Sequence, residues 1–152
     1  MSDSAGRMGS KCLPGIAIGF LSGALSVLVF QFGLAALLHA AGITPNAPYS
    51  MTPTQPFGVP QTLSAAFWGG MWGILLYAVL LRAGVGWRYW LTAALFGGFV
   101  VGGTLLFVVL PLKGRPFAAG WDFHVWALIF CLHAVFGLGA AVFLRAISAL
   151  RG

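Results

Sequence analysis

Four apolar runs, roughly residues 15–41, 62–81, 89–110 and 123–144, take up most of the chain and constrain it more than any other feature. A bilayer core about 30 Å thick needs about 20 residues of helix rising 1.5 Å each, and each run is long enough. Lipid offers no partner to an open backbone group, so each run must be helical. The expectation is an all-α polytopic membrane protein: a single membrane domain over residues 1–152, folded as a four-transmembrane-helix bundle. Only 7% of residues are charged, against about a quarter in a soluble domain, and the mean hydropathy is +0.96. No length remains for a separate catalytic domain.

The first run follows Arg7 and Lys11 and ends near Ala40 and Ala41, in the manner of a cleavable signal. Its apolar length of about 25 residues exceeds the 7 to 15 of a signal core. It reads as a retained, tilted anchor.

Orientation follows from the cations of the short connections, whose excess marks the cytoplasmic side. Arg7, Lys11, Arg82, Arg88, Arg145 and Arg151 fall on one side, and Lys113 and Arg115 on the other. Both termini are therefore expected in the cytoplasm. Despite a net charge of +6, the cations form no stripe with interleaved aromatics, so membrane lipids rather than nucleic acid are the expected partners. Cys12 and Cys131 fall at different membrane depths, too far apart for the roughly 7 Å of a disulfide, and are expected to be free thiols.

Connection 42–60 holds five of the eight prolines. It is expected to be extended or polyproline-like, with Tyr49, Met51 and Phe57 against the headgroups.

Twenty-two glycines need a reason in helices, because glycine weakens them in water. In lipid, small residues at spacing four let backbones approach. The rows are Gly15, Gly19 and Gly23; Ala65, Gly69 and Gly73; Ala94, Gly98 and Gly102; and Gly137 with Ala141. They predict packing within the bundle or self-association. Trp68, Trp87, Tyr89, Trp90, Trp121 and Trp126 read as an interfacial aromatic belt, and the deeper Trp72 as packing.

Polar groups inside the spans are few. No Asp or Glu lies in a span interior, which counts against a proton-coupled pump. Gln31 and His133 both fall roughly 13 to 15 Å below their helix ends, and are expected to meet near the midplane in an interhelical hydrogen bond or to form a polar spot for a ligand. Ser22, Ser26 and Thr104 are expected to bond carbonyls of their own helices. His39 and His124, with Asp122 beside the latter, are weak metal candidates with an incomplete ligand set. His124 and His133 are nine residues apart, hence on opposite helix faces and unable to serve one haem from the same side. No CxxCH or CxxC is present. No cofactor is expected.

Connection 111–122 concentrates charge. Within "PLKGRPFAAGWDFH", Pro111 is expected to end the third helix and Asp122 to cap the fourth. Lys113 and Arg115, which run against the positive-inside tendency, lie between these and are flanked by Phe117 and Trp121. Lys113, Arg115, Trp121 and Asp122 are thus candidates for contact with a lipid phosphate, an anionic solute or the acidic face of a partner. Asp122 is a further candidate to pair with Lys113 or Arg115.

Residues 93–144 resemble the second half of small four-helix bacterial integral membrane proteins that have a PLxGxxxFA-like turn and an H-x-x-x-G helix. The matching positions are Pro111, Leu112, Gly114, Phe117, Ala118, His133 and Gly137. The resemblance implies location in a bacterial inner membrane and a four-helix fold, and no activity. The expected function is a non-enzymatic accessory, assembly or structural component of a membrane complex, or a homo-oligomer. The alternatives are a small carrier or channel for an apolar or anionic solute, using Gln31 and His133, and a haem- or metal-binding redox protein.

Overall fold

The computed structural model describes the backbone of residues 3–150 and the side chains of residues 14–150. The side chains of Arg7, Lys11 and Cys12, and all of Arg151, lie outside the described residues, as do the expectations that rest on them.

Four helices are long and apolar enough to cross a membrane: Pro14–Ala40, Gln61–Ala83, Trp87–Leu112 and Phe123–Ala149. These are the first to fourth helices. The first continues α-helix Asp3–Ser26 through a π-helical turn, Val27–Gln31, into Phe32–Ala40. The third is interrupted by two π-helical stretches, Phe96–Val101 and Leu105–Val109.

The helices form a ring in which the first packs on the second and fourth, and the third packs mainly on the fourth. Between the second and third only residues 84–86 intervene. Gly84 and Gly86, at φ +75° and +89°, take backbone conformations that side-chain-bearing residues rarely adopt.

The first and third helices both end in Schellman motifs. The amide of Ile43 bonds the Leu38 carbonyl across Gly42, and the amide of Arg115 bonds the Leu110 carbonyl across Gly114. The two glycines have φ of +74° and +69°, as this cap requires. The third helix therefore does not end at Pro111: it runs on to Leu112, and Gly114 stops it. Proline is tolerated because only its missing amide, within an already irregular stretch, is lost.

The seams are close backbone contacts. A Cβ added at Gly23 would overlap the Gly69 carbonyl oxygen and stand 2.8 Å from Gly73 Cα, and one at Gly15 would stand 2.7 Å from the Tyr77 ring. At Gly73 it would overlap the Gly19 carbonyl oxygen, and at Gly69 the Val27 side chain. Across the third and fourth helices, a Cβ at Gly97 would overlap the His133 carbonyl oxygen, and one at Gly137 the Ala93 carbonyl oxygen. The contact row of the third helix is thus Ala93 and Gly97, one residue from the expected Ala94, Gly98 and Gly102. Gly98 and Gly102 lie at the edge, where an added Cβ would come no nearer than 3.4 Å and 3.3 Å to its neighbours.

Leu76, Leu80, Tyr89, Ala93, Ala140, Ala141 and Leu144 form one buried cluster, and Val27, Val101 and Phe136 another. Leu21, Val29, Leu37, Phe67, Leu75, Leu91 and Phe99 point outward. The outside is as apolar as the inside, so shape and close packing hold the helices together rather than a hydrophobic difference between them.

Candidate functional site

Three places bring together side chains capable of chemistry or recognition: the end that carries Lys113, the middle of the bundle, and the end that carries Arg145.

At the Lys113 end, Phe117–Trp121 forms a single tight turn in which Ala118, Ala119, Gly120 and Trp121 all have positive φ, between +52° and +67°. For residues with a side chain this left-handed backbone costs about 1–2 kcal/mol each. Compensation comes from packing. Ala118 is fully buried, and its carbonyl accepts a 2.8 Å hydrogen bond from Trp126 Nε1. Trp126 in turn lies edge-on to Phe107, Phe123 and Phe130, and tilted at 5.4 Å against Trp121.

Asp122 caps the fourth helix as expected, its Oδ1 accepting from the amides of His124 at 2.9 Å and Val125 at 3.4 Å. Among the described residues it forms no ion pair with Lys113 or Arg115. Both cations are exposed, as are Phe117, Trp121 and Phe123.

Connection 42–60 differs from the expected extended strap. Pro53–Thr54 pairs antiparallel with Val59–Pro60. The segment is pinned to the bundle by Tyr49, whose hydroxyl donates to the Leu28 carbonyl at 2.7 Å and whose ring meets Phe32 edge-on. Ser50 adds a second tie, accepting through its carbonyl from the Thr62 amide and hydroxyl. Met51 and Phe57 stay exposed. The hairpin tip, Thr54, Gln55 and Pro56, faces Leu112 and Lys113 across a cleft of about 560 Å³, so one of the two exposed cations borders both connections at this end.

In the middle, the expected Gln31–His133 bond does not form among the described residues. His133 Nδ1–H donates to the Ile129 carbonyl of its own helix at 2.7 Å, and Gln31 lies in the π-helical turn of the first helix. The polar contact between these helices comes from a residue expected to bond within its own helix: Ser26 Oγ–H donates across to the Phe136 carbonyl at 2.6 Å. Ser22 is also fully buried, and its hydroxyl has no partner among the described residues. Thr104 behaves as expected, bonding the Val100 carbonyl at 2.7 Å. Trp72 packs edge-on against Phe96.

His39 Nδ1–H donates to the Thr44 carbonyl at 2.9 Å, which commits that nitrogen to its own connection. His124 is exposed at the start of the fourth helix. Among the described residues no group of three metal-ligating side chains forms. Cys131 is a free, exposed cysteine.

At the opposite end lies an arrangement not anticipated from the sequence, which assigns Tyr89 and Trp90 to the interfacial belt alone. Tyr89 is buried, and its hydroxyl donates to the Ala141 carbonyl at 3.0 Å. The Arg145 guanidinium lies 4.3 Å from the Tyr89 ring centre and 5.1 Å from that of Trp90, and the two rings meet at 88°. The signal available in the sequence was Gly137, Gly139, Ala140 and Ala141: a run this small admits neighbours on more than one side.

No protein-family model, curated protein or solved structure matches this chain.

Proposed function

We propose that this chain is a non-enzymatic accessory or assembly component of a membrane complex, acting through the end that carries Lys113 and Arg115. The observation that carries this reading is the division of labour between the glycine seams and that end. Gly19, Gly23, Gly69 and Gly73 face one another within one chain, as do Gly97 and Gly137, which leaves them little part in contacts with other chains. The Lys113 end instead presents two exposed cations beside exposed Phe117, Trp121 and Phe123 on a turn fixed by packing. Aromatic and Arg side chains are the residue types enriched where proteins bind one another, and unneutralised cations favour an acidic partner face.

The charge asymmetry between the connections supports both termini lying in the cytoplasm, which puts this contact surface on the outer side, and the resemblance of residues 93–144 supports residence in a bacterial inner membrane. The carrier alternative has less support, because backbone contacts close the seam of the first and second helices and that of the third and fourth. Metal binding by the histidines is likewise less favoured, since among the described residues no group of three metal-ligating side chains forms.

The test is mild-detergent extraction from the native membrane, followed by affinity purification of the wild type and of a Lys113→Glu, Arg115→Glu double variant. A stoichiometric membrane-protein partner with the wild type, lost with the double variant, supports the reading. A wild type that purifies alone refutes it.

A further inference from the structure

We propose that the groove at the Arg145 end is a seat for an anionic phospholipid, its phosphate on Arg145 and Ser148 and an acyl chain along Tyr77, Leu80 and Leu144. The groove has a volume of about 240 Å³ and is bounded by these residues together with Tyr89. It is amphipathic along its length. Arg145 and Ser148 stand on the last turns of the fourth helix. Tyr77 lies deeper, against Gly15 of the first helix, where an added Cβ would stand 2.7 Å from its ring.

The guanidinium is oriented before any ligand arrives. It lies 4.3 Å from the Tyr89 ring centre and 5.1 Å from that of Trp90, the residue remains exposed, and a planar fork matches two phosphate oxygens at once. The Tyr89 hydroxyl proton goes to the Ala141 carbonyl, while its oxygen faces the guanidinium and engages only part of its five N–H donors. Ser148 lies three residues beyond Arg145, on the same helical face, and supplies a hydroxyl to the same rim.

The site has no negative charge among the described side chains. Among the described side chains the one carboxylate, Asp122, caps the far end of the same helix. Arg82, among the described residues, bonds the Ala78 carbonyl of its own helix, and Arg88 adds a further cation at this end of the bundle. An isolated free anion would satisfy the charge but leave the apolar wall wet. A phospholipid satisfies both. A zwitterionic headgroup would bring its own cation among these arginines, so the seat should prefer a lipid of net negative charge.

The test uses the full chain in detergent micelles, with retained lipid counted by native mass spectrometry. The probes are dioleoylphosphatidylglycerol, dioleoylphosphatidylcholine and sodium phosphate, and the variants are Arg145→Gln and Arg145→Lys. The wild type should retain phosphatidylglycerol about tenfold better than phosphatidylcholine, a ratio set by one charge-assisted contact. Arg145→Gln should lose that preference. If Arg145→Gln does not fold, Arg145→Lys decides: it keeps the charge without the fork and should bind phosphatidylglycerol severalfold more weakly. Retention at the wild-type level by whichever Arg145 variant folds overturns the proposal. So does equal retention of the two lipids by the wild type, or displacement of phosphatidylglycerol by equimolar phosphate, which would assign the seat to a free anion.

Discussion

Ser26 donates its hydroxyl proton to the carbonyl oxygen of Phe136 across the seam of the first and fourth helices, at 2.6 Å and out of reach of lipid and water. Such bonds average about 0.6 kcal/mol in membrane proteins, because the helices when apart also find partners. Ser26→Ala should therefore lower stability by roughly that amount. Thr104→Ala should change it less, since that hydroxyl bonds its own helix and joins nothing. Thermal unfolding of both variants in one detergent compares them, and an equal or larger loss for Thr104→Ala would contradict the cross-helix bond.

Adjacent glycines of the third helix should answer the same substitution differently. A Cβ at Gly97 meets the His133 carbonyl oxygen, part of a backbone that cannot turn aside, whereas at Gly98 the nearest neighbouring atom is an ordinary 3.4 Å away. Overpacking a tight interior costs about 1–3 kcal/mol, and Gly97→Ala belongs at the upper end. Gly98→Ala should stay within about 0.5 kcal/mol of the wild type. Melting temperatures that fall together would mean that the seam lies elsewhere.

Gln31 and His133 should behave as strangers. With the His133 ring bonded to Ile129, Gln31→Leu and His133→Leu should combine additively, within about 0.3–0.5 kcal/mol, as uncoupled sites do. A double-mutant cycle reads this directly. A coupling energy beyond that range would restore the interhelical pair.

These residues also mark where the sequence was legible. Span lengths follow from bilayer thickness, and Asp122 announces itself as a cap by its position before an apolar run; both are local constraints. The small-residue row of the third helix was misplaced because Ala94, Gly98 and Gly102 give three small residues at spacing four, against two for Ala93 and Gly97, whose row continues to Val101. The choice between them depends on helix rotation, which the π-helical stretches Phe96–Val101 and Leu105–Val109 alter. Each wide turn shifts the residues beyond it off the regular α-helical face. Gln31 is subject to the same effect, at the end of the π-helical turn Val27–Gln31. The Arg145 groove was hidden for another reason: its walls come from three helices, and nothing local to Tyr89 says that Arg145 will lie over it. At the Lys113 end the charges were plain to read, while the left-handed turn beneath them was not, because alanine gives no sign of positive φ.

That turn supplies the last prediction. Ala119 is held at φ +52° and is half-buried, so its methyl group adds backbone strain and few contacts. Glycine adopts the same conformation without that strain, although its freer unfolded chain offsets about 0.4–1 kcal/mol of the gain. Ala119→Gly should therefore raise stability slightly, by less than about 1 kcal/mol. Trp126→Phe should act in the opposite direction, since it removes the 2.8 Å bond that holds the Ala118 carbonyl, at a cost of about 1 kcal/mol. In paired thermal unfolding curves the two variants should bracket the wild type. A clear loss of stability in Ala119→Gly would mean that the turn is not left-handed at this residue, and the exposed cations beside it would then have no fixed platform.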